Sequence, residues 1–227
     1  MAQIENAKVN KPQSFYTNGY LIIHMDTLLP IIELRILSLY TSDYSTKLHV
    51  RESSRILKTN HRTISLALQK LEKNRIMDST VIGKSRQYHL NLKNVITKEF
   101  IKTAESYKSI NFLNKNFLIK KLMDELSNIV KTTPVFLFGS YAKGTETKES
   151  DIDIAIIKDS DELNITKLMK DFAQRHNKNI QIQKFDKEQF ESGIKKNHLI
   201  IEIVKNHIIL NNNEQFIDIL WRHYNDR

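Results

Sequence analysis

The segment VFLFGSYAKGTETKESDIDIAII, residues 135 to 157, concentrates residue types that do chemistry on phosphates. Asp151 and Asp153 stand two apart at the head of an apolar run, and in an extended strand that spacing puts both carboxylates on one face. Held ~5.5 Å apart, two carboxylates repel by about 3 kcal/mol at an effective dielectric of ~20, a cost that calls for a compensating cation. Upstream, the apolar strand expected over Val135 to Phe138 ends at Gly139-Ser140, where a missing side chain lets backbone approach a ligand closely. Two of the chain's five glycines, Gly139 and Gly144, fall within these six residues. A hard divalent ion prefers carboxylate oxygens together with phosphate oxygens and water, so the acidic pair beside a glycine-serine turn points to a nucleoside triphosphate carried on Mg2+ (or Mn2+). Cysteine is absent, which removes disulfides, thiolate nucleophiles and cysteine zinc sites together, and the eight histidines lack the paired spacing of a zinc site.

On these residues the segment resembles the DNA polymerase beta-like nucleotidyltransferase superfamily, and specifically its minimal members. Their motif runs glycine-serine, three residues, glycine, about five residues, then serine-aspartate-x-aspartate, and Gly139, Ser140, Gly144, Ser150, Asp151 and Asp153 match all of it. The resemblance implies a mixed sheet with helices. It also implies that Gly139 and Ser140 hold the triphosphate with Ser150 in the same motif, that Lys143 lies near the phosphate charge, and that Asp151 and Asp153 bind magnesium. It continues through residues 177 to 210, which have the strand, helix, helix, strand rhythm of these domains. In the family a third carboxylate on the next strand completes the metal site and acts as base. Here that strand reads Ile180-Gln181-Ile182-Gln183, with isoleucines inward, so the position falls on Gln181. An amide can orient a hydroxyl but cannot take its proton at neutral pH. Asp186 is the alternative, if the strand turns back toward the site.

The surrounding chain has the balance of a soluble globular protein, 40% hydrophobic and 27% charged, with room in 227 residues for two small cores. No apolar run approaches the roughly 18 residues of a bilayer span, and the first residues, MAQIENAKVNKPQSF, lack the apolar core of a secretory signal. The expectation is a cytoplasmic protein with no membrane partner.

The formal charge is +9, and residues 50 to 93 hold most of it, with ten basic residues against three acidic. A localised basic surface attracts a polyanion. A helix is expected from near Pro30 with Ile32, Ile36, Leu39 and Tyr40 on one face, and a second over Val50 to Leu57. After the turn Lys58-Thr59-Asn60, a third helix buries Ile64, Ala67, Leu68 and Leu71 and shows Arg62, Thr63, Ser65, Gln69, Lys70 and Lys73 on its other face. Arg75 to Ile82 and Arg86 to Leu92 can pair around Gly83-Lys84-Ser85. This order resembles the winged helix-turn-helix of prokaryotic transcription regulators. The resemblance implies that the third helix, with Arg62, Thr63 and Lys70, enters the major groove of double-stranded DNA while Lys84 and Arg86 grip the backbone. A winged helix used only for dimerisation or packing is the alternative.

The expected organisation is α+β: a polar tail over 1–19, a winged helix-turn-helix over 20–93, a helical linker over 94–113 and a nucleotidyltransferase domain over 114–227. The C-terminal stretch EQFIDILWRHY reads as a packing helix or a subunit contact. The expected activity moves a nucleoside monophosphate from a triphosphate to an acceptor hydroxyl on a nucleic-acid end or a partner protein. The competing reading is a DNA-binding regulator whose nucleotidyltransferase-like domain has lost turnover and senses nucleotide or binds a partner. A homodimer on two half-sites is among the expected assemblies.

Overall fold

The computed structural model describes residues 16–17, 20–21, 30–158 and 162–225. The tail expected over 1–19, and most of 20–29, lie outside them apart from two short strands, β1 (Tyr16–Thr17) and β2 (Tyr20–Leu21), which pair antiparallel within a unit formed by residues 1–30.

Apolar spacing and local caps set the next elements: α1 (Ile31–Leu37), β3 (Leu48–His49), α2 (Val50–Leu57), α3 (His61–Lys73), β4 (Met77–Ile82) and β5 (Ser85–Leu90). The four positions expected inside α3, Ile64, Ala67, Leu68 and Leu71, are buried. The helix starts where it does because the Asn60 side chain accepts a hydrogen bond from the Arg62 amide at 2.7 Å, satisfying a donor that has no partner within the helix. Asn60→Ala is therefore expected to lower stability by about 1 kcal/mol, read as a shift in the urea midpoint. The three strands form an antiparallel sheet in the order β3-β5-β4. Ile82 pairs with Ser85, so the hairpin tip is the two residues Gly83-Lys84 rather than three. Gly83 has φ of 60°, the region such a turn asks of its first residue. Arg75 has φ of 57°, which delays the strand to Met77.

Two helices follow, α4 (Val95–Leu113) and α5 (Phe117–Ser127), joined by the turn Asn114-Lys115-Asn116. The remaining elements are β6 (Val135–Phe138), α6 (Gly139–Lys143), β7 (Ile152–Ile157), α7 (Glu162–His176), β8 (Ile180–Phe185), α8 (Lys187–Gly193), α9 (His198–Lys205), β9 (Ile208–Asn211) and α10 (Asn213–Asn225). Their sheet has the order β8-β7-β6-β9; β7 and β8 are parallel, and α7 makes the crossover that a parallel pair requires.

Alternation along the strands gives the sheet two covered faces. Val135, Leu137, Ile152, Ile154 and Ile156 pack on one side with Ile119 and Leu122 of α5 and Met169 and Phe172 of α7. On the other side Phe136 meets Phe216 of α10 at 4.6 Å and Phe190 of α8 at 6.2 Å between ring centroids. The polar ends of β7 and β8 project toward this second side, where α9 also lies.

Residues 31–227 make one compact unit, and the boundaries expected near 93 and 113 fall within it, at the two ends of α4. That helix packs on α1 as well as on α10 and β9. Ion pairs Lys98–Asp218 (2.6 Å) and Lys102–Glu214 (3.0 Å) tie it to α10. At its centre Glu105, fully buried, contacts His207 Nε2 at 2.8 Å and Lys108 Nζ at 3.4 Å. Trp221 of α10 is buried too, edge-on to Tyr44 at 6.1 Å. Among the described residues no helix is long and apolar enough to cross a membrane.

Candidate active site

The site is built where β6 ends. Gly139 turns the chain with φ of 68°, and a Cβ placed there would lie 2.0 Å from Asp153 Oδ2. Both facts demand glycine: the left-handed backbone is strained for other residues, and the carboxylate occupies the space. Gly139→Ala is accordingly expected to push Asp153 out of line and reduce any activity of this site at least tenfold, while circular dichroism shows the fold retained. The short helix α6 follows, with Ser140 half-buried in its first turn, and Gly144, at φ of 68°, closes it.

The loop then returns to β7. Ser150 Oγ accepts a hydrogen bond from the Thr147 amide at 2.8 Å, which shapes the turn before the acidic pair. Asp151 immediately precedes β7, and Asp153 lies within it, paired in register with Phe138 of β6 on one side and Gln181 of β8 on the other. Gln181 Nε2 donates to Asp151 Oδ2 at 2.7 Å. The glutamine expected beside the pair is thus in contact with it. Asp186 is not: β8 runs straight on, so Asp186 stands five residues beyond Gln181, roughly 16 Å away. There it caps α8 and pairs with Lys158 at 3.2 Å.

Burial, the Asp151 carboxylate and the Glu202 carboxylate together push the Asp153 carboxyl above its ordinary range, with Lys143 opposing them. Glu202 is the residue that sequence reasoning missed. It belongs to α9, and its Oε1 lies 2.5 Å from Lys143 Nζ at the end of α6. The only local signal was one acidic residue in the otherwise apolar stretch LIIEIV.

The basic residues of the first three helices and the hairpin fall into two groups. Arg62 and Thr63, in the first turn of α3, and Lys84, at the hairpin tip, are exposed. Lys70 instead pairs with the buried Glu33 of α1 at 2.9 Å, and Arg86 with Glu72 at 3.2 Å.

A four-stranded mixed sheet sets a glycine-serine turn against Asp153, with Asp151 just before the same strand, and residues 118–215 match the family model described as polymerase beta, nucleotidyltransferase. That segment is thus similar to a minimal nucleotidyltransferase domain. Among individual proteins, the chain is 51% identical over 45 residues to a protein adenylyltransferase, MntA, of Shewanella oneidensis. The match takes in 20% of this chain and spans 30% of that relative's length. Among solved structures, a toxin–antitoxin with AMP-PNP is 20% identical with a TM-score of 0.32, covering 48% of this chain and 83% of its own. A mutant of the toxin–antitoxin MntA-HpeT is 17% identical with a TM-score of 0.34, covering 47% and 84%.

Proposed function

We propose that the chain transfers a nucleoside monophosphate from a nucleoside triphosphate to an acceptor hydroxyl, with Mg2+ held by Asp151 and Asp153. The observation that carries this reading is Asp153 Oδ2 set against Gly139 of the glycine-serine turn, with Asp151 two residues earlier in the same extended segment. The residues present fit a hard divalent ion. Asp151 and Asp153 stand two apart, burial first and the charges of Asp151 and Glu202 next push the Asp153 carboxyl upward, and Gly139 leaves its Oδ2 uncovered by a side chain. Among the described residues no group of three or more acidic or histidine side chains forms a complete metal cage. Magnesium does not need one, because it is commonly held by one or two carboxylates, substrate phosphates and water.

When bound, the ion would neutralise charge developing on the phosphates. The acceptor oxygen bonds to the α-phosphorus as the bond to the β-phosphate oxygen breaks; that electron pair leaves with pyrophosphate, and the acceptor's proton goes to solvent. Ser140 and the backbone of the turn position the triphosphate, and Lys143 offers it an ammonium. Gln181 fixes the direction of Asp151 through its amide N–H.

The similarity to a protein adenylyltransferase favours ATP as donor and a protein hydroxyl as acceptor. The first three helices and the hairpin, with β3 completing the sheet, support a winged helix-turn-helix that holds double-stranded DNA through Arg62, Thr63 and Lys84. A cleft of about 660 Å³ between α2, α3 and the hairpin, lined by Arg51, His61, Lys84 and Arg86 among others, adds positive charge on that side. Lys70 and Arg86 can join only by leaving Glu33 and Glu72.

The test is incubation with α-labelled nucleoside triphosphates and Mg2+, with co-purifying proteins in one arm and oligonucleotides in the other. Label is expected on protein. Absence of label on every acceptor with every nucleotide would overturn the reading. A second reading, a DNA-binding regulator with a nucleotide-sensing but inactive domain, is favoured by Gln181, and nucleotide binding without transfer would support it.

A further inference from the structure

Strand β8 offers an amide where a carboxylate would complete the acidic pair, and the next acid comes from a different element. Lys143 stands four residues along α6 from Gly139, about 6 Å of helical rise, and Gly139 abuts Asp153 Oδ2. Lys143 in turn holds Glu202 at 2.5 Å. Glu202 is thereby tied through Lys143 to the turn that Asp153 touches, and its charge acts on Asp153 together with that of Asp151.

The partner of Glu202 is the same ammonium that faces an incoming triphosphate. About two fifths of each side chain in the pair is exposed, and an ion pair so placed is held weakly. A triphosphate draws the ammonium away, and the carboxylate it leaves behind then faces whatever cation travels with the phosphates. Both charges stay matched through the exchange.

We propose that Glu202 is the third carboxylate of the metal–nucleotide site, exchanging Lys143 for the divalent ion when a nucleoside triphosphate enters. This rests on the nucleotidyltransferase reading of Asp151 and Asp153. It accounts for a strand that carries glutamine at position 181, because the missing acid is supplied from α9.

The test uses the full chain with Mn2+ as the probe, free Mn2+ being read by electron paramagnetic resonance with and without a non-hydrolysable ATP analogue. With the analogue present, Glu202→Gln is expected to weaken Mn2+ binding about tenfold or more, and adding Gln181→Asp is expected to restore it by placing a carboxylate on β8. Without nucleotide, Lys143→Met is expected to tighten Mn2+ binding more in the wild-type chain than in the Glu202→Gln background, because loss of the ammonium charge acts in both and only the released carboxylate needs Glu202; equal tightening in the two overturns the exchange. Unchanged Mn2+ affinity in Glu202→Gln overturns the proposal. Asp153→Asn separates the two levels. If it abolishes Mn2+ binding while Glu202→Gln does not, only the role of Glu202 falls; if neither variant has any effect, the metal–nucleotide reading falls with it.

Discussion

Asp153→Asn is expected to reduce nucleotidyl transfer by a factor of about 10³ while leaving the melting temperature unchanged or higher. On the proposed reading, the loss follows from removing one of the two carboxylates that would hold the divalent ion, and electrostatic groups of this kind are worth roughly 10²–10³ in rate. The thermal effect follows from the sign of the shift. Burial, Asp151 and Glu202 raise the carboxyl above its unfolded value. An acid so raised contributes stability that is fully present below its unfolded value and is lost as pH rises through the folded one. At neutral pH the charged Asp153 therefore works against folding, and the neutral amide relieves that repulsion. A variant that keeps full transfer activity would remove Asp153 from the chemistry; one that unfolds would make it structural.

The largest effect on stability is expected at the other edge of the sheet, beside β9, from Glu105→Gln. Glu105 is buried and faces both the Lys108 ammonium and His207 Nε2, while the other ring nitrogen of His207 faces the Val204 carbonyl at 2.8 Å. Burial alone would raise the Glu105 carboxyl, but Lys108 first and His207 second override it and hold it at about 2. Removing one member of a buried charged group costs about 3–5 kcal/mol, because the partners remain buried without compensation. Against a typical total of about 5–15 kcal/mol, that is a large share. Urea unfolding measures it, and a change under about 1 kcal/mol would show that the network is not holding the fold. The pH dependence has the opposite sign to that of Asp153. The contribution of Glu105 is present above its unfolded value near 4.5 and drains away as pH falls toward 2. The wild-type chain should thus lose stability steeply over that interval, and Glu105→Gln should flatten the slope.

What could be read from the sequence was what neighbours along the chain decide. Asn60 and Asn94 cap their own helices through amides two residues on, so the starts of α3 and α4 were legible. Isoleucine alternation in β8 was enough to turn Gln181 toward the acidic pair, because a strand has a period of two. Where partners are far apart in sequence, the reading stopped. Nothing near Lys70 or Arg86 announces that Glu33 and Glu72 engage them, and both therefore looked like free cations. Glu202 was hidden in the same way, 59 residues from Lys143 and in an apolar helix that promises only packing. The hairpin tip was overestimated by one residue because a glycine-lysine pair closes a tighter turn than composition alone suggests.

Helix α4 touches α1 on one flank and α10 and β9 on the other, and Tyr44 beds against Trp221. Such bracing leaves no slack segment, among the described residues, between the basic half and the half that matches the nucleotidyltransferase model, so heating should melt them in a single calorimetric transition.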